Sequence, residues 1–301
     1  MSAGRITESM TGRRLLADLN ASTGLVSKYQ RQISSGRRME KPSDDPLATH
    51  TAMRLRSELQ GLANDRRSIS DAKGWLDTTE AALGSITEVV HRTNELALQG
   101  SNGTMAQKDR NKIADEIDQL IETAKSAANA SYGGRFVFSG TDTDQQPYTV
   151  GGPDAWNGDT GGAIYRTVGA GQTITVNVRG EDVLGSGGAD GKLLSTMRDL
   201  AANLRSGNLA AIRANDISAL QTNLEEVTSA RGIVGALTTR IESANDRLAQ
   251  IEEDTTGLLS EAEDTDIAKA LIQLTTQQSV YQAALKSGQT LIQPSLLDFI
   301  R

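Results

Sequence analysis

The chain has no cysteine and only two histidines, His50 and His91, in 301 residues. Disulfides and thiol chemistry are therefore excluded. The histidines lie about 40 residues apart on one expected helix, so they do not meet in one chain. A zinc site or a Ser-His-Asp triad lacks parts. Aromatic residues make up 3% and apolar residues 37%, both low for a globular enzyme. Such a chain builds no deep core, but it can fold as a thin bundle whose helices each hide a narrow stripe. No run of about 18 apolar residues occurs, which excludes a membrane-spanning helix. The opening MSAGRITESMTGRRLLADL has no apolar h-region, so no cleaved secretory signal is expected. Net charge is −7, with Lys and Arg dispersed, which argues against a nucleic-acid surface.

What the chain does have is helical periodicity. An apolar residue returns every seven positions at Leu55, Leu62, Ile69, Leu76, Leu83, Val90 and Ala97. A second series pairs Leu220, Val227, Val234, Ile241 and Leu248 with Ala230, Leu237, Ala244, Ile251 and Leu258. That is an a/d seam, and a strict seven-residue repeat implies left-handed supercoiling. Shorter helices carry Ile113, Ile117, Leu120, Ala124 and Ala127, and then Leu193, Met197, Leu200 and Leu204. Thr104 with Gln107 has capping-box spacing. At the ends, Leu15, Leu19, Ser22, Val26, Tyr29 and Ile33 form one stripe. Ile267, Leu271, Leu274, Gln278, Tyr281, Leu285, Gly288 and Ile292 form another. Ser22, Gln278 and Gly288 read as breaks in these seams. Pro294 is expected to end or kink the last helix before SLLDFIR.

Glycine is uneven: 15 of 29 lie between Gly133 and Gly191. The runs RFVFSG, PYTV, AIYRTV and TITVNV in this segment read as short antiparallel strands. The expected fold is thus mainly α, an elongated rod of long antiparallel helices with paired termini and a small β domain at the distal tip. Three parts follow: a terminal coiled-coil layer (1–43 with 260–301), a helical bundle (44–131 with 192–259) and a β-rich insertion (132–191).

The stretch QISSGRRMEKPSDDPLAT, from Gln32 to Thr49, marks the boundary between layers. Ser34, Ser35, Gly36, Arg37, Arg38, Pro42, Asp44, Asp45 and Pro46 form its motif. Gly36 leaves a helix with little strain, Pro42 and Pro46 stop its continuation, and Asp45 before Pro46 starts the next. That reading accounts for the paired carboxylates without a reaction. Arg31, Arg37, Arg38 and Lys41 are most simply solvated, and in an assembly of copies they, with Asp44 and Asp45, are candidates for inter-subunit salt bridges. DTDQQPYTVGGP fails the calcium-loop pattern at Gln146, Pro147 and Pro153. SGGADGKL fails the phosphate-loop pattern at Ser186 and Leu193, and reads as a linker into a helix capped by Asp190. No cofactor or metal is expected.

The boundary stretch resembles the flagellin signature, in which one helix ends in a Ser-Ser-Gly-x-Arg-like segment and the next begins after Asp-Asp. EDTDIAKALIQLTTQQSVYQAALKSGQTLIQPSLLDFI resembles the matching C-terminal helix of that superfamily. GGRFVFSGTDTDQQPY and the ending PSLLDFIR tilt the resemblance towards the hook–filament junction branch, the hook-associated proteins 3. About 240 residues are covered, everything except the insertion beyond Tyr148. Lys41 and Pro42 depart from the small residues common at these places. The resemblance implies that the terminal helices line a narrow channel and that the longer helices form the next layer, with the insertion facing outward. It also implies unfolded export by the flagellar type III apparatus, with a cytoplasmic chaperone bound through the C-terminal region. The expected partners are other copies of the chain, a neighbouring hook-associated protein and flagellin, and the location is the extracellular flagellum. Neither catalysis nor nucleic acid nor membrane enters. Filament flagellin itself and a coiled-coil signalling or adhesin-type rod with a ligand-binding β tip are the alternatives.

Overall fold

The computed structural model describes residues 3–292 except Glu40, Thr160 and Ala170. The expectations for Pro294 and SLLDFIR fall outside the described residues. The helices are α1 (Ala3–Ser35), α2 (Pro46–Gly100), α3 (Gln107–Ala128), α4 (Gly180–Leu184), α5 (Leu193–Ser206), α6 (Leu209–Ala211), α7 (Ile217–Glu263) and α8 (Ile267–Ile292). A π-helical segment, Ile212–Asp216, joins α6 to α7. Four short strands, β1 (Ser131–Tyr132), β2 (Arg135–Phe136), β3 (Tyr165–Thr167) and β4 (Thr173–Thr175), pair as two antiparallel hairpins. The chain forms two compact units, residues 1–60 with 252–301, and residues 61–251. Their boundaries fall inside α2 and α7.

The seven-residue series on α2 is buried along its whole length, from Leu55 to Ala97. In α7 the first seam, Leu220 to Leu248, is buried as well. The second fades: Ala230 and Ala244 are buried, Leu237 is half-buried, and Ile251 and Leu258 are exposed.

In the 61–251 unit, α2 and α7 run antiparallel and are tied by Lys73–Glu242 (2.7 Å) and Arg231–Glu80 (2.9 Å through Nε). Trp75, Leu76, Leu83 and Ile86 form the buried face of α2, and Ile117, Ile121 and Leu200 join from α3 and α5. Gly100 lets α5 approach closely, since a Cβ there would collide with Leu204 Cδ2. The buried face of α3 is Ile113, Ile117, Ile121, Ala124 and Ala128, turned from the expected Leu120 and Ala127. The capping box at Thr104 does not form. Thr104 bonds to Asn102, while Gln107 Nε2 reaches the carbonyls of Leu204 (2.8 Å) and Arg205 (2.9 Å) at the end of α5. An orphan helix C-terminus draws that side chain more strongly than a local cap does.

The insertion is less β-rich than its sequence suggests. PYTV contributes only a single bridge, Tyr148 to Trp156. Tyr148 is fully buried, its hydroxyl donating to Gly185 O (2.6 Å) and its amide to Asn129 Oδ1 (3.0 Å). Burial pushes its phenol pKa up. Asp190 organises a turn by accepting from the amides of Ser186 and Lys192, while Lys192, not Asp190, is the cap residue of α5. The hairpins lie beside the middle of α2 and not at its far end. Arg166 on β3 meets Asp71 (2.8 Å), and Tyr132 packs over Gly74. Helix α3, about 33 Å long, carries the chain back from the α2–α3 turn before the strands begin.

A buried ion cluster anchors the insertion. Lys125 is 0% exposed, and its three ammonium protons go to Asp154 (2.6 Å), Glu122 (3.0 Å) and Gly152 O (2.8 Å). Arg198 grips Asp154 with two nitrogens (2.7 and 3.2 Å) and reaches Asp118 (2.6 Å). Loop 151–154 is thereby pinned to α3 and α5.

Candidate assembly surface

The boundary stretch is held by backbone bonding. Gly36 ends α1 in the left-handed region at φ +70°. Its amide donates to Gln32 O (2.9 Å), and its carbonyl accepts from Thr265 N (2.9 Å). Arg38 N donates to Glu263 O (2.7 Å), and Arg37 bridges Asp264 in antiparallel fashion. Gln32 Nε2 closes the junction on Arg38 O (2.7 Å). A Cβ on Gly36 meets nothing within 4 Å, so only backbone conformation demands glycine here. Gly36→Ala should therefore cost about 1 kcal/mol in urea unfolding, from the left-handed strain alone. Gly61→Ala, in open space inside α2, should instead stabilise by ~0.5–1 kcal/mol.

The rest of the motif forms a turn and a helix cap. Lys41 N donates to Asp44 Oδ2 (3.1 Å) in the turn that contains Pro42. Asp45 Oδ1 accepts from Ala48 N (3.0 Å), capping α2 with Pro46 at its first position. Asp266 caps α8 in the same way, accepting from Lys269 N (3.0 Å). Ser35 Oγ accepts from Arg37 N (3.2 Å), and Ser34 is exposed on the last turn of α1. Glu263 is buried beneath two guanidinia, Arg37 (2.9 Å) and Arg56. Arg38 reaches Asp45 (3.5 Å) and Ala262 O (3.3 Å). These arginines are about half exposed, so each pair is worth at most about 1 kcal/mol. Arg37, Arg38, Asp44 and Asp45 thus have partners within a single chain.

Helices α1 and α8 pack antiparallel. On α1 the inward stripe is Leu15, Leu19, Val26, Tyr29 and Ile33, all half-buried, with Ser22 and Gln32 buried among them. Ser22 accepts a hydrogen bond from Gln277 Nε2 (2.9 Å). A Cβ on Gly288 would lie 2.7 Å from Leu15 Cδ2, so the helices nearly touch there. Ser22 and Gly288 are contact points, not breaks. They fix which face of α8 meets α1: Ala270, Leu274, Gln277, Tyr281, Ala284 and Gly288, all buried or half-buried. That face is mostly small or polar. The larger residues Ile267 (51% exposed), Leu271 (46%) and Leu285 (41%) lie to one side of it, uncovered. Met10, Leu16 and Leu25 on α1 and Ile272 and Val280 on α8 are exposed too. The Ile292 side chain lies outside the described residues.

Among the described residues, no three His, Asp or Glu side chains are placed to hold a metal ion, and no helix is long and apolar enough to cross a membrane. What the paired helices present is uncovered apolar surface.

Comparison with known proteins gives this surface a context. Residues 6–143 match the bacterial flagellin N-terminal helical region, and residues 217–299 match the bacterial flagellin C-terminal helical region. Flagellin FlaB1 of Treponema pallidum is 26% identical over 302 residues, covering 97% of both chains. A solved Vibrio parahaemolyticus structure assigned to the flagellar hook-associated proteins superposes with a TM-score of 0.67 at 23% identity, covering 73% of this chain and 100% of its own. Flagellar hook-associated protein 3 of Legionella pneumophila gives 0.61 at 15% identity, covering 69% and 97%. At these identities the two structures establish likeness of fold.

Proposed function

This chain belongs to the bacterial flagellin family and is a structural flagellar protein, and from that premise we propose that it assembles into the junction between hook and filament and accepts flagellin there. The observation that carries this reading is the likeness of fold to two hook-associated proteins, each covered over nearly its whole length. The uncovered apolar side chains on α1 and α8 support assembly of either kind, because neighbouring copies would bury them. In this reading residues 1–43 with 260–301 form the assembly layer. The chain leaves the cell through the flagellar export apparatus, escorted by a chaperone on its C-terminal region, and works outside the cell without catalysis. Cells lacking the chain should build hooks but shed flagellin into the medium. Normal filaments on such cells would overturn the junction role.

A filament role has its own support, since the Treponema pallidum relative is a flagellin matched over 97% of both chains. Purified chain that polymerises into long filaments without a hook seed would favour it.

A further inference from the structure

Only two Asn-Gly pairs occur in the chain, Asn102-Gly103 and Asn157-Gly158, and the fold treats them differently. Asn102 is exposed in the turn between α2 and α3. Its side-chain oxygen Oδ1 accepts from Thr104 N (3.1 Å) and from Thr104 Oγ1 (2.9 Å). The first of these bonds closes a ring that contains the Gly103 nitrogen, so the side-chain carbonyl is folded back over that nitrogen. A Cβ at Gly103 would meet only Arg213 Nη2, at 3.8 Å, so the approach is open. Asn157 is exposed too, but its surroundings differ. Its Nδ2 is directed at Gln146 O and Thr149 Oγ1, and its glycine is crowded by Trp156 and Ser139 O.

We propose that Asn102-Gly103 is a self-modifying site that converts itself to aspartyl and isoaspartyl forms. The Gly103 nitrogen attacks Asn102 Cγ, and a C–N bond forms. The Cγ–Nδ2 bond then breaks, and Nδ2 leaves as ammonia with the proton lost by the Gly103 amide. Water opens the resulting cyclic imide at either carbonyl. The net change is one ammonia lost and one water gained, with no oxidation or reduction. During attack, negative charge develops on Oδ1, where the Thr104 amide and hydroxyl both donate. Donors pre-aimed at a developing oxyanion lower its barrier. The product carboxylate forms in a turn whose backbone two guanidinia hold. Arg110 Nη1 already donates to Asn102 O (3.3 Å), and Arg213 Nε donates to Ser101 O (3.1 Å). The aspartyl form adds a negative charge to this turn while these backbone contacts stay, and the isoaspartyl form adds a carbon to the backbone of the turn.

The test incubates full-length purified chain at mildly alkaline pH and maps its peptides by mass, with isoaspartyl methyltransferase as the probe of the rearranged form. Asn102 should convert at least about tenfold faster than Asn157. Thr104→Val, which removes the hydroxyl donor, should slow conversion about threefold or more. Gly103→Ala, which fits the open space, should slow it further by adding bulk at the nucleophile. Equal rates at the two pairs, or a rate unmoved by Thr104→Val, would overturn the proposal. Asn102→Asp should have a melting temperature at or above that of the native chain, since the new charge forms in a turn held by Arg110 and Arg213, and a lower one would show that the turn does not tolerate the product.

Discussion

Asp154→Ala should lower the melting temperature of the 61–251 unit by about 10 °C. The substitution leaves Lys125, which has no exposed surface, with one carboxylate and one carbonyl where it had two carboxylates and a carbonyl. Removing one partner of a buried pair costs about 3–5 kcal/mol, because the remaining charge stays desolvated. In a unit of this size each kcal/mol moves the midpoint by about 2–4 °C. Removing both charges, with Lys125→Met and Asp154→Leu, should cost less than Asp154→Ala alone, since Arg198 keeps Asp118 and Glu122. A double variant as unstable as the single one would show that the cluster holds the fold by shape and not by charge.

The same carboxylate predicts an acid dependence. Burial alone would raise its pKa, but bonds from Arg198 and Lys125 outweigh burial and hold it below the usual carboxylate range. A group lowered on folding contributes stability above its unfolded pKa, about 3.9, and loses that contribution as pH falls towards the folded value. The stability gap between the native chain and Asp154→Ala should therefore be full at neutral pH and should narrow below about pH 4.

This cluster is invisible in the sequence. Glu122 and Lys125 are neighbours on one helix, but Asp154 and Arg198 arrive from distant segments, and no local pattern joins them. What the sequence does reveal is periodic: every member of the α2 series from Leu55 to Ala97 is buried. It reveals local chemistry as well, since Asp45 before Pro46 caps α2 as its residue types suggest. The reading is weaker where large apolar residues are taken as the interior. On α8, hydrophobicity picks out Ile267, Leu271 and Leu285, yet close packing picks out Ala270, Ala284 and Gly288. Small residues give no hydrophobic signal, but they let helix backbones approach. The insertion misled for another reason. Strands of two or three residues are too short for alternation to identify, and turn-rich glycine segments look alike whether or not they pair.

The offset between these two faces of α8 sets up the strongest test of assembly. Leu271→Glu with Leu285→Glu should leave the monomer folded and abolish its incorporation into flagella. Both side chains are nearly half exposed in the single chain, so charged replacements there keep their water. In an assembly that covers the stripe, two carboxylates would lose hydration without a partner. Even about 2 kcal/mol for each makes ~4 kcal/mol, a factor of ~10³ in association. The control sits on the other face. Gln277→Ala removes the bond to Ser22 and should loosen α1 from α8 within one chain, an effect of about 1 kcal/mol. It should leave the outer stripe able to recruit neighbours. Circular dichroism of the monomers and the amount of each variant recovered in sheared flagella separate the two effects. If the double glutamate variant incorporates normally, then the outer stripe faces solvent in the assembly, and neighbouring copies meet through another surface.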